Sequence, residues 1–196
     1  MIKKEEYQIE NSGYNQGLMF ANNEGNINVI LQQAVKIPSL ISTVVATLGN
    51  ICSEMEMSSG NDDYRKYTPD DKIEYNCVIK YKDIIKYYSA YYFTCEKHLN
   101  AYDDSNIRGK AKILGCVHEW YMEAKGDILL RNRDSKKAEI DIVRENSDDI
   151  IDMIKERILR AVMDSHESMY REDMVQGIAC FTCFCFMECK ILEKPS

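Results

Sequence analysis

Apolar side chains recur every three or four residues along most of the chain, which is the period of an α-helix. The longest such pattern covers residues 68–102, where one face would carry Ile73, Cys77, Tyr81, Ile84, Tyr88, Tyr91, Cys95, Leu99 and Tyr102. Thr68 suits a helix N-cap, Pro69 suits the first helical position, and the two aspartates that follow favour the positive end of the helix dipole. The pattern predicts one long helix around which the remaining chain packs.

Two further helical patterns flank this segment. An apolar stripe over residues 40–55 follows Pro38, a residue that should break or restart a helix. A third pattern covers residues 107–125, and Gly126 is its expected end. Residues 131–146 carry few apolar side chains, and we interpret them as a loop or a ragged helix.

The C-terminal third of the chain predicts two more helices. Ser147, followed by two aspartates, is a suitable N-cap for a helix with apolar positions from Ile150 to Val162. The last helix is predicted from about Met169 to Ile191, and between residues 178 and 187 only one side chain is plainly polar. A helix that is apolar on all sides is normally buried in a core or an interface. The chain therefore predicts a mostly α fold, a bundle of about five helices whose last helix is central or covered by a partner.

Residues 1–30 depart from the helical pattern. Asn and Gly, which tolerate the left-handed conformation of tight turns, recur there between short apolar runs at residues 18–20 and 27–31. We predict a short β-rich, hairpin-like arm over residues 1–30, followed by an α-helical domain over residues 31–196. The arm could be a flexible, turn-rich extension. It could instead pair with another chain and form a homo-oligomer, because a lone hairpin is marginally stable in water.

Composition narrows the functional classes. A hydrophobic content of 45% with 29% charged residues is typical of a globular protein, and the net charge of -7 argues against nucleic acid as a direct partner. We see no signal peptide, and no apolar run approaches the roughly 18 residues of a membrane span. The eight cysteines lie mostly on apolar helical faces rather than in loops, which favours reduced thiols in a cytoplasmic protein.

The cysteines near the C-terminus are the first candidates for chemistry. Cys180 and Cys183 have the C-x-x-C spacing of metal and redox motifs, and Cys185 and Cys189 follow closely. The pair lies inside an apolar helical pattern without histidines or turn residues around it, so packing in the core is the favoured interpretation. A metal-binding sensor or small enzyme using Cys180, Cys183, Cys185 and His118 is the alternative.

No other catalytic motif is present in the sequence. It lacks a Gly-rich phosphate loop, a nucleophile elbow and a paired-acid motif, and its three histidines are scattered. The acids and lysines of residues 68–102, including Lys72, are interpreted as a solvated helix face. We therefore expect a protein that is not an enzyme and that uses no cofactor or metal.

Surplus tyrosines favour a role in protein binding. Six of them crowd residues 81–102, and Tyr87 and Tyr92 fall off the main apolar stripe. Tyrosine combines a large apolar ring with a polar tip and suits both core edges and interfaces. The predicted partner interface consists of Tyr87, Tyr92, Phe184, Met187, Cys189, Ile191 and Leu192.

Three segments resemble a known family: the Asn/Gly-rich residues 15–28, Asp-Lys-Ile-Glu-Tyr-Asn at 71–76, and Glu-Cys-Lys-Ile-Leu-Glu-Lys-Pro at 188–195. The chain resembles the C-terminal domain of proteins from bacterial ABC-three-component systems, which include Lamassu-type anti-phage defence. The resemblance implies a helical domain that couples an effector to an SMC-like ABC ATPase, with residues 189–192 in the coupling region. Effectors of that family commonly carry an N-terminal enzyme domain where this chain has about 30 turn-rich residues, which would make it an effectorless subunit.

These observations predict a non-catalytic adaptor subunit that acts through protein partners in a bacterial cytoplasm. Two alternatives stay open: the cysteine-based metal sensor or enzyme, and a self-assembling structural protein that oligomerises through the arm.

Overall fold

The computed structural model describes residues 36–54, 67–105 and 108–195, and within these ranges the secondary structure is helical, with no strand. Its helices are α1 (Leu40–Glu54), α2 (Pro69–Tyr75), α3 (Lys82–Ser89), α4 (Tyr92–Ser105), α5 (Gly109–Arg131), α6 (Glu139–Glu145), α7 (Ser147–Met163) and α8 (Arg171–Met187). The mostly α prediction is confirmed, whereas the count of about five helices is wrong. The predicted β-rich arm over residues 1–30 lies outside the described residues. None of the described helices is both long enough and apolar enough to cross a lipid bilayer.

Helix α1 begins two residues after Pro38, as that proline predicts. The Ser39 hydroxyl oxygen accepts a hydrogen bond from the backbone N–H of Ser42, at 3.3 Å, which satisfies one of the free donors of the first turn. The apolar stripe of this helix is buried, with Val44 and Val45 almost inaccessible to solvent. Local pattern and local capping therefore agree with the structure here.

The single long helix predicted over residues 68–102 is wrong, because three helices (α2, α3 and α4) share this segment. Its start is confirmed: Thr68 caps α2, and the Asp71 carboxylate completes a capping box. Helix α2 stops at Asn76 because Cys77 adopts a left-handed backbone conformation with φ of 54°. The N–H of Val78 then donates to the carbonyl of Ile73, a closing pattern of helix C-termini.

A carboxylate from a distant helix organises the start of α3. The side chain of Asp148 in α7 accepts hydrogen bonds from the backbone N–H groups of Ile79 and Lys80, at 3.1 and 3.0 Å. The interruption also exchanges two of the predicted buried positions for the residues that follow them. Val78 and Ile85 are buried, whereas Cys77 and Ile84, which the unbroken helix would bury, are exposed. A tight turn at residues 90–91 then separates α3 from α4.

Helix α5 runs through its predicted end at Gly126 and stops at Arg131. Gly126 has no positive φ, so it does not act as a C-terminal cap. The side-chain amide of Asn132 donates instead to the carbonyl of Ile128, at 2.9 Å, and ends the helix one turn later. The ragged segment at 131–146 contains the two-turn helix α6.

Helix α7 begins at Ser147, close to the predicted start, but Ser147 does not cap it. The Ser147 hydroxyl faces the carbonyl oxygen of Cys77, at 3.4 Å, so both Ser147 and Asp148 hold the connection between α2 and α3. Ser147 and Asp148, which are typical of a helix N-terminus, therefore make tertiary contacts here instead of capping α7.

Helix α8 is the centre of the fold and packs against α1, α3, α4 and α7. Every residue from 178 to 186 except Ala179 is buried, which confirms the prediction of a central last helix. Two glycines let α1 and α8 approach closely. A Cβ atom at Gly177 would lie 2.1 Å from the carbonyl oxygen of Val45, and one at Gly49 would lie 2.2 Å from that of Asp173.

Candidate functional site

Lys72 is the one charged side chain that the structure buries completely, within the described residues. The prediction that it belongs to a solvated face is therefore wrong. Its ammonium group donates to the carbonyl of Phe186 and to that of Ile191, the latter at 3.2 Å, and lies 4.5 Å from the centre of the Phe186 ring. Burial lowers the pKa of Lys72 to about 8. A cation at the C-terminal end of α8 complements the helix dipole and satisfies carbonyls that lack helical partners.

The chain after α8 folds back against α2. Cys189 and Leu192 have left-handed backbone conformations, with φ of 54° and 62°, which allow Ile191 and Leu192 to be buried. The Asn76 side chain then pairs with the backbone of Glu193, donating to its carbonyl and accepting from its N–H, both at 2.9 Å. We call residues 188–195 the C-terminal segment.

The Glu193 carboxylate fastens this segment to α5. It accepts hydrogen bonds from the hydroxyl of Tyr121, at 2.6 Å, and from the ammonium of Lys125, at 2.8 Å. Burial alone would raise the pKa of Glu193, but these two donors hold it below its usual value. Burial and the neighbouring carboxylate raise the pKa of Tyr121. The arrangement keeps the carboxylate ionised and the phenol neutral, so it acts as a stable anchor.

The cysteines of the C-x-x-C motif are packing residues. Cys180, Cys183 and Cys185 are all buried in α8, and burial raises the pKa of Cys183 to about 12. The Cys183 thiol faces the carbonyl of Ile84, at 3.8 Å, and the Cys180 sulfur lies 3.3 Å from that of Cys95. In the part of the chain that the structure describes, no three His, Cys, Asp or Glu side chains are grouped to hold a metal ion. His118 instead places its Nδ1 atom 3.3 Å from the carbonyl oxygen of Lys190.

The predicted interface divides into exposed and buried residues. Tyr87 is exposed, and its ring meets that of Tyr88 edge-on at 5.0 Å. Tyr92 donates its hydroxyl to the Glu188 carboxylate and packs its ring 5.2 Å from that of Phe184. Tyr92 thus links the start of α4 to the C-terminal end of α8, whereas Tyr87 contacts its neighbour within α3.

The other predicted interface residues lie mostly inside the chain. Phe184, Ile191 and Leu192 are buried by the protein itself, and Met187 and Cys189 are half-buried. A partner could reach the three buried side chains only if the C-terminal segment or α8 moved. Other apolar side chains on the described residues are open to solvent.

A groove between α7 and α8 carries that surface. Leu159 and Met163 of α7 form one wall, and Met174 and Val175 of α8 form the other, with Met169 at one end. We call these five residues the α7–α8 groove. Two adjoining depressions of ≈ 570 and ≈ 240 Å³ share Leu159 and Met174. Exposed fractions of 62% for Met163 and 58% for Val175 show how much apolar side chain faces solvent.

The sequence contains only a weak signal for this groove. Leu159 and Met163 lie four residues apart on α7, off the stripe that includes Ile154 and Ile158. An apolar pair at that spacing is an exposed ridge on a helix. The pair becomes one wall of a groove only because α8 packs beside it, and the helical period contains no information about that neighbour.

Comparison with protein-family models, with curated proteins and with solved structures finds no match to this chain. The family resemblance of the three sequence segments therefore stays a prediction.

Proposed function

We propose that this protein is a non-catalytic interaction subunit, working in a bacterial cytoplasm, and that its α7–α8 groove binds an amphipathic helix of a partner protein. The observation that carries the proposal is the exposure of Met163 and Val175, with Leu159 between them at 37% exposure. Apolar surface of this kind lowers the free energy when it is covered, by about 25 cal/mol for each Å² removed from water.

The form of the groove favours a helix as the occupant. Two helices make its walls, and apolar side chains line both. An amphipathic helix can lay its apolar face along such a groove and anchor side chains at positions three or four apart. The methionines at 163, 169 and 174 suit this role because their unbranched, polarisable side chains adapt to different partners.

The resemblance to ABC-three-component proteins supplies a candidate for the partner. It implies an SMC-like ABC ATPase, and in that case the groove would present this chain to the ATPase as part of an anti-phage defence system. Tyr87 is exposed on a different helix, α3, and extends the proposed contact surface only if the partner is large.

A pull-down with matched variants tests the proposal. The full-length tagged protein, expressed in its host, is compared with a groove variant, Met163→Asp with Val175→Asp, and captured proteins are identified by mass spectrometry. The control variant, Met122→Asp with Leu130→Asp, places the same two charges on α5, where both residues are also exposed. We expect the groove variant to lose a partner that the wild type and the control retain.

Two outcomes would contradict the proposal. A partner retained equally by both variants would exclude the groove as its binding site. Capture of nothing but the protein itself, together with a native mass of two or more chains, would favour the self-assembling alternative. Deletion of residues 1–28 would then show whether the predicted arm holds the oligomer together. Recovery of an SMC-like ATPase only with an intact groove would support the role in defence.

A further inference from the structure

Basic side chains outnumber acidic ones around the α7–α8 groove. The larger depression, at the end where the chain passes from α7 to α8, is bordered by Lys36, Arg171 and Glu167. The smaller depression, at the other end, is bordered by Lys155 and Glu156. This balance is opposite in sign to that of the whole chain, which has a net charge of -7.

The backbone places Lys36 and Arg171 at the same end of the groove. Arg171 is the first residue of α8. Lys36 precedes Ile37, whose N–H donates to the carbonyl of Asp164 just after α7, at 3.1 Å. Both basic residues are exposed, and neither forms an ion pair with another described residue. Two cations therefore stand beside apolar surface without a compensating carboxylate.

The acidic side chains nearby are directed to other groups. The Glu167 carboxylate accepts a hydrogen bond from the hydroxyl of Thr43 in α1, at 2.8 Å. Asp173, in the first turn of α8, accepts one from a serine hydroxyl of α1, at 3.0 Å, and so faces away from α7. At the other end of the groove Glu156 forms an ion pair with Arg160. Lys36 and Arg171 are therefore free to pair with carboxylates of a partner.

We propose that the helix bound in the α7–α8 groove is acidic, and that its carboxylates pair with Lys36 and Arg171 while its apolar face covers the groove. This inference rests on the proposed function and names the chemistry of the partner. An arginine guanidinium can hold a carboxylate through two parallel hydrogen bonds, and a lysine adds a point charge. A basic helix with the same apolar face would bring like charges together, which disfavours it.

Local charge and overall charge make opposite predictions, so the two can be separated. The net charge of -7 attracts a basic helix over long distances. At 0.15 M salt the Debye length is about 8 Å, so charges beyond the immediate rim of the groove are largely screened. A preference for an acidic helix under these conditions therefore reports the cations at the rim.

Two synthetic peptides test the inference. Both carry the same leucines at helical spacings of three and four, and the charged positions are all glutamate in one and all lysine in the other. Fluorescence anisotropy of the labelled peptides with the full-length protein gives the dissociation constants. We expect the glutamate peptide to bind about fivefold more tightly, as two exposed ion pairs would produce. Lys36→Glu with Arg171→Glu should reverse the order of the two peptides.

Two further variants make the result specific. Lys97→Glu with Lys112→Glu changes the net charge by the same amount at exposed positions of α4 and α5, and it should keep the preference for glutamate. Met163→Ser with Val175→Ser removes apolar surface from the groove without adding charge, and it should weaken the binding of both peptides.

Equal affinities, a preference for lysine, or an unchanged preference in Lys36→Glu with Arg171→Glu would each overturn the acidic assignment. If the serine variant nevertheless released both peptides, the groove would remain the binding site and only the charge of its partner would be wrong. Glutamate peptide that bound the serine variant as tightly as the wild type would place the contact outside the groove and would contradict the proposed function as well. Failure of both peptides to bind the wild type would overturn this inference alone, since the pull-down tests the groove with the natural partner.

Discussion

Helices α8 and α5 differ in how much of their surface the rest of the protein covers. Helix α8 packs against four other helices and is buried on nearly all sides between residues 178 and 186. Helix α5 buries one stripe, which includes Val117 and Ala124, and leaves Met122 and Leu130 exposed. Each helix also contains glycine in its interior. The two helices therefore show how the surroundings of an interior glycine change its effect on stability.

The glycines have the same local conformation and different neighbours. At Gly177 the space that a Cβ would take is occupied by the backbone of α1, whereas at Gly115 and Gly126 no atom beyond the neighbouring residues and backbone of α5 itself lies within 4 Å of that position. Glycine inside a helix costs roughly 0.5–1 kcal/mol relative to alanine. In α8 that cost is offset because two helices approach closely, and in α5 nothing in the structure offsets it. The spacing between helices therefore decides what each glycine contributes.

The largest effect is expected for Gly177→Ala. The added methyl group would meet the Val45 carbonyl at 2.1 Å, and a backbone atom can give way only if α1 shifts. We expect the free energy of unfolding to fall by about 3 kcal/mol, at the upper end for an overpacked core. Urea denaturation monitored by circular dichroism measures this change in the free energy of unfolding. A change below that of an ordinary surface mutation would show that α1 and α8 are not in close contact.

The next largest effect is expected for Lys72→Met. Lys72 lies in α2, and its ammonium group contacts the C-terminal end of α8. This substitution removes the donor to the Phe186 and Ile191 carbonyls and leaves both buried without it. We expect a loss of about 2–3 kcal/mol, because these are hydrogen bonds from a charged donor. Lys80→Met is the matched control, since the Lys80 side chain is largely exposed in its ion pair with Asp152 and should contribute less than about 1 kcal/mol. Equal losses in the two variants would contradict the buried role of Lys72.

A smaller loss is expected for Asn76→Ala, which cuts the link between the end of α2 and the C-terminal segment. The Asn76 side chain makes both hydrogen bonds to the Glu193 backbone. We expect the free energy of unfolding to fall by about 1–2 kcal/mol and the amide of Glu193 to exchange faster with deuterium. Hydrogen–deuterium exchange resolved by peptide gives the local measurement. Unchanged exchange in the C-terminal segment would mean that the Tyr121 and Lys125 contacts suffice.

Alkaline pH changes the contributions of Lys72 in α2 and of the buried thiols in α8 to stability with opposite signs. The pKa of Lys72 is about 8 in the folded protein against 10.5 ordinarily, so above pH 8 the unfolded chain binds more protons and the contribution of Lys72 to stability rises with pH. Cys183, with a raised pKa of about 12, and Cys185, also raised, keep their protons only in the folded protein, so their contribution falls above pH 9. Removing Lys72 should therefore steepen the loss of stability with pH.

The difference between wild type and Lys72→Met isolates the lysine. Between pH 8 and pH 9 the stability of the wild type should gain about 1 kcal/mol relative to the variant. Paired urea titrations at the two pH values measure this difference, since the contributions of the thiols are common to both proteins. A constant difference across this interval would show that the pKa of Lys72 is not lowered.

The smallest effect is expected for Gly126→Ala, and it has the opposite sign. The position lies inside α5 with open space around the added methyl group. We expect the free energy of unfolding to rise by roughly 0.5–1 kcal/mol. Thermal unfolding of Gly126→Ala and of Gly177→Ala, measured under the same conditions, compares the two glycine positions directly. A destabilised Gly126→Ala would mean that α5 has a neighbour at that face, such as a bound partner chain.

Much of the fold follows from local chemistry that can be read along the chain. The helical class, the start of α1 after Pro38, the Thr68 cap and the burial of α8 were all predicted, because each depends on residues within a few positions of one another. A period of 3.6 residues reports which side chains share a face. It does not report where a helix is interrupted, and for that reason residues 68–102 were predicted as one helix.

The remaining features depend on partners that lie far apart in sequence. Asp148 organises the start of α3 from 69 residues away, and Lys72 reaches a carbonyl 114 residues away. The α7–α8 groove is likewise assembled from separate helices. Helix–helix distance and direction determine whether a glycine is required or a lysine is buried. Those quantities arise only when all the helices pack together, because no short stretch of chain contains both partners.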